Sequence, residues 1–76
     1  MIRCHLGRLM GERKMKVVDV ARATDLHRNT ISLLYKEEAK QVDFETLNRL
    51  CKLFNCKIPD LLEYIPDPTK KAFGRK

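Results

Sequence analysis

The sequence predicts an all-α fold, a compact bundle of five short helices, on three observations. Apolar residues recur at helical spacing through most of the chain, no segment alternates with the period of a strand, and the helical runs are separated by short polar connections. A length of 76 residues sets one domain as the expectation. A domain of this size buries only about 60% of the surface its unfolded chain exposes, and a helical bundle is the least demanding way to close so small a core.

Taken in order, Ile2–Arg13 reads as the first helix, with Ile2, Leu6, Leu9, Met10 and Met15 in helical register. Gly7 and Gly11 each weaken it by roughly 1 kcal/mol relative to Ala, so packing must hold it. Val17–Thr24 and Arg28–Tyr35 are the second and third helices, joined by a tight turn at Asp25–His27. Val20 and Thr24 lie one helical turn apart and share a face, which Ala21 extends with little bulk. Leu26, Ile31 and Leu34 complete an inward set, and the small Ala21 lets the next helix cross closely, as in a helix-turn-helix. Glu37–Gln41 is a polar connector. Asp43 is a good N-cap for a fourth helix, with Val42 and Leu47 as a hydrophobic staple and Glu45 at the positive end of the dipole. Phe44, Leu47, Leu50, Cys51 and Phe54 form its apolar stripe, and Asn55 stops it by turning left-handed. Pro59 suits the first turn of a short fifth helix, Pro59–Tyr64, within the dense apolar group Ile58, Leu61, Leu62 and Ile65. Residues 1–66 are expected to form the domain and residues 67–76 a basic flexible tail.

The formal charge is +6, and Lys70, Lys71, Arg75 and Lys76 against Asp67 place +3 of it in the tail, leaving +3 on the body. Overall basicity is therefore weak evidence for nucleic acid. The local pattern is better: Leu26–Lys36 holds Arg28 and Lys36 and no acid, the footprint expected of a phosphate binder. No apolar run approaches the roughly 20 residues of a membrane span and no signal-peptide core is visible, so no membrane association and a cytoplasmic location are expected. Three cysteines, Cys4, Cys51 and Cys56, argue against a disulfide framework, and their spacing with His5 and His27 offers no metal site. No nucleophile–base arrangement or phosphate-cradling Gly loop stands out, so neither an enzyme nor a cofactor is expected.

The third helix carries the candidate chemistry. Arg28, Asn29, Ser32 and Leu33 fall on or near its outer side. Arg28 matches guanine O6 and N7 with two donors, or else meets a phosphate or stays a solvated charge at the helix start; Asn29 matches adenine N6 and N7, or else bonds locally near the turn. Ser32 suits a base or a phosphate, and Leu33 a thymine methyl or the core. Arg13, Lys16, Lys36 and Lys40 are candidate phosphate contacts, each with a solvated alternative, and Thr30 suits a phosphate or a helix-start amide.

The order of elements, and above all the stretches DVARATDLHRNTISLLYK and DFETLNRLCKLFNCKIPDLLEY, resemble the Cro/repressor, or XRE-type, DNA-binding domain. The resemblance covers about Ile2–Ile65. It implies a five-helix lambda-repressor-like bundle and a bacterial, phage or mobile-element regulator that binds operator DNA, commonly as a dimer. The family usually has Gly where this chain has Lys14, Asp25 and Glu37, Ser or Thr where it has His27, and a phosphate-contacting Gln where it has Val17. Losing the hydroxyl cap at His27 costs about 1 kcal/mol.

Sequence-specific binding of double-stranded DNA as a repressor or autoregulator is the leading expectation, with a homodimer built through Leu61, Leu62, Tyr64 and Ile65 and no small-molecule effector evident. The competing reading is a protein-interaction module, an antitoxin or adaptor on the same fold.

Overall fold

The computed structural model of the chain describes residues 1–66; the expected basic tail, 67–76, lies outside the described residues. The order of elements is β1 (Ile2–Cys4), α1 (Leu6–Arg13), α2 (Val17–Thr24), α3 (Arg28–Tyr35), α4 (Phe44–Phe54), α5 (Ile58–Leu61) and β2 (Leu62–Tyr64). The five expected helices are present and the described residues are mostly helical, but a small two-stranded sheet joins them. β1 and β2 pair antiparallel, with Ile2 opposite Tyr64, Arg3 opposite Glu63 and Cys4 opposite Leu62. The first helix therefore starts at Leu6 rather than Ile2, and the fifth is a single turn that ends at Leu61 rather than Tyr64. Beyond the ladder, the Met1 amino group donates to the Ile65 carbonyl at 2.7 Å and Ile65 N–H to Met1 O at 2.8 Å. On the other side His5 N–H donates to Leu61 O at 2.7 Å. Those backbone groups would be unpaired helix-terminal donors and acceptors if both segments stayed helical, so the ribbon satisfies them.

Ten apolar side chains make one core: Leu6, Leu9, Met10, Val20, Ala21, Ile31, Leu34, Leu50, Phe54 and Leu61. The α4 stripe differs from expectation at one end. Phe44 is 87% exposed while Thr46 is buried. On a helix of 3.6 residues per turn, Phe44 lies roughly 120° from Leu50, at the margin of the buried face, and it is the first helical residue with no preceding turn to cover it. Thr46 lies nearer the centre of that face. As expected, Asp43 caps α4, its carboxylate accepting Thr46 N–H at 2.9 Å.

Four helices end in the same six-residue turn. Lys14, Asp25, Glu37 and Asn55 are left-handed, at φ 55, 60, 60 and 50. Across them the N–H of Met15 donates to Met10 O, Leu26 to Ala21 O, Glu38 to Leu33 O and Cys56 to Cys51 O, at 2.8–3.1 Å. This is the Schellman closure, which places the first and sixth side chains in contact and normally takes Gly at the left-handed position. Each non-Gly residue there costs on the order of 1 kcal/mol. The three positions where the resembled family carries Gly are thus all left-handed here.

Candidate nucleic-acid interface

α2 and α3 are held as one unit from inside. Val20 and Ile31 are fully buried, Ala21, Thr24 and Leu34 nearly so, and Leu26 packs against them from the turn. Thr24 Oγ1 donates to the Val20 carbonyl at 2.7 Å, which satisfies its buried hydroxyl. The Thr24 carbonyl, orphaned at the helix end, accepts from Arg49 Nη1 of α4 at 2.9 Å. Asp25 then turns the chain left-handed into His27, the N-cap of α3, whose side chain makes no capping hydrogen bond.

With Ile31 and Leu34 fixed inward, the helical period dictates what α3 presents outward. Asn29 and Lys36 fall roughly opposite the buried pair, flanked by Arg28, Ser32 and Leu33. Arg28, Asn29 and Lys36 are exposed, whereas Ser32 and Leu33 are half-buried. Arg28, Asn29 and Ser32 therefore share a solvent-facing stripe, and Leu33 lies at its edge. Thr30 is half-buried on the other flank, in a cleft with Gln41, Val42, Asp43 and Thr46 at the start of α4. No carboxylate lies on α3 itself. Glu37, just beyond it, turns its carboxylate to β1: Arg3 donates at 2.7 and 3.0 Å and Cys4 N–H at 3.1 Å. The Arg3 hydrogen bonds, with help from Cys4 N–H, hold the Glu37 pKa down to about 2.

The cations divide by whether the fold occupies them. Arg3 pairs with Glu37, Arg8 with Glu12 and the Asp60 carbonyl, and Arg49 with Glu45 and the Thr24 carbonyl. Arg13, a candidate phosphate contact, donates to the last carbonyls of α4, to Phe54 O at 2.9 Å and Leu53 O at 3.4 Å, with its guanidinium 5.7 Å from the Phe54 ring centre. Arg22 and Arg28 are the described arginines that donate no hydrogen bond to any other described residue, and both belong to the helix-turn-helix. Lys16, at the N-cap of α2, engages Asp19 through its backbone N–H at 2.8 Å, which leaves its ammonium without an ion pair among the described residues. Lys36 and Lys40 are exposed and likewise unpaired there. Sequence reasoning passed over Arg22. The signal available was Asp19, the acid one turn back, which as a residue at N3 caps its own helix start.

The candidate dimer residues separate. Leu61 is 1% exposed and belongs to the core, so it closes the monomer and offers nothing to a partner. Leu62 and Ile65 are half-buried, and Tyr64 is 67% exposed opposite Ile2, itself 62% exposed. The surplus apolar area read as a helix face is carried by the ribbon.

Two crossed helices, a buried small-residue contact, a left-handed turn and an outward helix with uncommitted polar and cationic side chains define a helix-turn-helix DNA-binding domain. The Cro/C1-type HTH DNA-binding domain model matches residues 5–67, and the chain belongs to that family. It is also 30% identical over 59 residues to YozG of Bacillus subtilis strain 168, an uncharacterized HTH-type transcriptional regulator, with 78% of this chain and 70% of that one covered. No helix among the described residues is long and apolar enough to cross a membrane.

Proposed function

We propose that the chain is a transcriptional regulator, acting as a repressor or autoregulator, that lays α3 in the major groove of double-stranded DNA. The observation that carries this reading is the acid-free outer stripe of α3, where Arg28, Asn29 and Ser32 stand together and the Arg28 guanidinium has no partner among the described residues. Arg28 and Asn29 read bases through bidentate donors, Ser32 meets a base or a phosphate, and Leu33 contributes at most a methyl contact from the stripe's edge. Lys16, Lys36, Lys40 and Thr30 contact phosphates, and Arg22, unpaired among the described residues, joins them. Arg13 drops out of the set because its nitrogens are engaged at the end of α4. Two copies meet through the ribbon, with Tyr64, Leu62 and Ile65 beside Ile2, and present two reading helices to grooves about 34 Å apart on an inverted repeat.

Fluorescence anisotropy on duplex DNA selected from a random pool tests the reading. Arg28→Ala is expected to cost about 1–3 kcal/mol and to relax preference at one position. Lys36→Ala should weaken all duplexes alike and flatten the slope of log K against log salt by about 0.9. Uniform loss from both changes, or binding insensitive to salt, refutes it. Sedimentation equilibrium of Tyr64→Glu against the wild type tests the ribbon contact.

A further inference from the structure

The closing turn of α4 puts cysteines at both positions that its geometry forces together. Asn55 is left-handed; Cys56 N–H donates to the Cys51 carbonyl at 3.0 Å and Asn55 N–H to the Lys52 carbonyl at 3.3 Å. In this turn the sixth residue folds back over the first, so their side chains normally make an apolar contact. Met10 with Met15, and Ala21 with Leu26, fill those positions at the ends of α1 and α2. At α4 both members are thiols. Cys51 and Cys56 are half-buried and line one open groove of about 510 Å³ with Phe44, Leu47, Asn48, Lys57 and Ile58. Cys4 opens instead on the cavity beneath the ribbon, beside Leu34 and Val42.

We propose that Cys51 and Cys56 are a redox-active dithiol that a hydroperoxide converts to an intrachain disulfide, stapling the end of α4 to the start of α5. The thiolate of one cysteine attacks a peroxide oxygen, the O–O bond breaks, and a sulfenic acid and one water or alcohol result after protonation. The second thiolate attacks the sulfenic sulfur, the S–O bond breaks, the S–S bond forms, and the departing hydroxide takes up a proton as water. Two thiols lose two electrons and two protons, and the peroxide is reduced by the same two electrons. The groove admits the oxidant to both sulfurs. Burial, and then the neighbouring Cys51, push the Cys56 thiol up, so thiolate is scarce at neutral pH and closure quickens as the medium becomes alkaline. Closing a loop this short restricts mainly the unfolded chain, and the turn is already formed in the fold.

The test uses the full chain carrying Cys4→Ser, treated with hydrogen peroxide at mildly alkaline pH. The expected product is a monomer lighter by about 2 Da, resistant to alkylation until reduced. Trypsin cuts after Lys52, so the disulfide should join the peptides Leu50–Lys52 and Leu53–Lys57 from a single chain. The oxidised monomer should melt about 5–15 °C higher than the reduced one. Cys51→Ser and Cys56→Ser should each abolish the mass loss while remaining folded by circular dichroism. Peroxide products that are only sulfinic acids or disulfides between two chains, or an oxidised monomer that melts lower than the reduced one, overturn the proposal.

Discussion

Replacing Arg13 by Ala distinguishes a residue that holds the fold from one that holds DNA. Its guanidinium caps two carbonyls at the end of α4 and lies over the Phe54 ring at 5.7 Å. A hydrogen bond from a charged donor nets about 1.5–3 kcal/mol where it is shielded, but Arg13 is exposed and the longer bond is near the geometric limit, so roughly 1 kcal/mol is appropriate for the pair. The ring contact at an exposed site adds about 0.5–1 kcal/mol, and the helix-dipole contribution overlaps with the capping. Arg13→Ala should therefore destabilise the chain by about 1–2 kcal/mol, which lowers Tm by roughly 4–15 °C for a domain of this size. The salt slope of DNA binding should not change. Arg13→Lys keeps the charge but cannot reach both carbonyls with a planar fork, so it should recover only part of the loss. Thermal circular dichroism and an anisotropy salt series read both quantities. An Arg13→Ala chain with unchanged Tm and a slope reduced by about 0.9 would refute the structural assignment and restore Arg13 as a phosphate contact.

Two glycines of α1 should respond differently to a methyl group. A Cβ at Gly11 meets nothing within 4 Å, so Gly11→Ala should stabilise by about 0.5–1 kcal/mol, whereas at Gly7 it would sit 3.3 Å from the Tyr35 ring and the gain should be smaller or reversed. Urea titrations of the two variants check the order. The Glu37 carboxyl is lowered in the fold to about 2 from an ordinary 4.5, so its contribution is complete above about pH 4.5 and is lost as pH falls towards 2. Melting wild type and Glu37→Gln between pH 7 and 2 should show the wild type more stable at neutral pH and the difference closing on the acid side.

What the sequence revealed was what local spacing encodes. Val20, Thr24, Ile31 and Leu34 follow helical spacing within fifteen residues, and Asp43 and Asn55 mark the ends of α4 by chemistry acting over one turn. The helix-turn-helix and its outward stripe follow from those alone. The ribbon was not legible, because Ile2 and Tyr64 are paired from opposite ends of the domain, and three-residue strands carry too few positions to show alternation. Ile2 even falls in register with Leu6 and Leu9, so the helical pattern ran past the true start of α1. The surroundings of Arg13 and Leu61 were hidden for the same reason: the carbonyls that take the guanidinium, and the core that takes the leucine, are brought up by distant segments. A cation near a motif reads as a DNA contact until its partner is known.

The substitution of Glu37 for the glycine usual at that turn is explained by the same long-range contacts. A glycine would remove about 1 kcal/mol of left-handed strain from the end of α3 but has no side chain to reach β1. Glu37 accepts two hydrogen bonds from Arg3 and one from Cys4 N–H, so the residue that closes α3 also fastens the ribbon. Arg3 in turn faces Glu63 across the ladder, and Glu63 contacts His5 Nε2 at 2.7 Å, which extends the connection to β2 and to the start of α1. No comparable ion pair involves the Lys14 side chain among the described residues, and its left-handed backbone is offset only by the turn's own hydrogen bonds. The two departures therefore differ in kind. Lys14 is a tolerated cost, whereas Glu37 fixes the orientation of α3 against the strands that carry the exposed Ile2 and Tyr64. If two copies join through those strands, the spacing between their reading helices is set through this carboxylate.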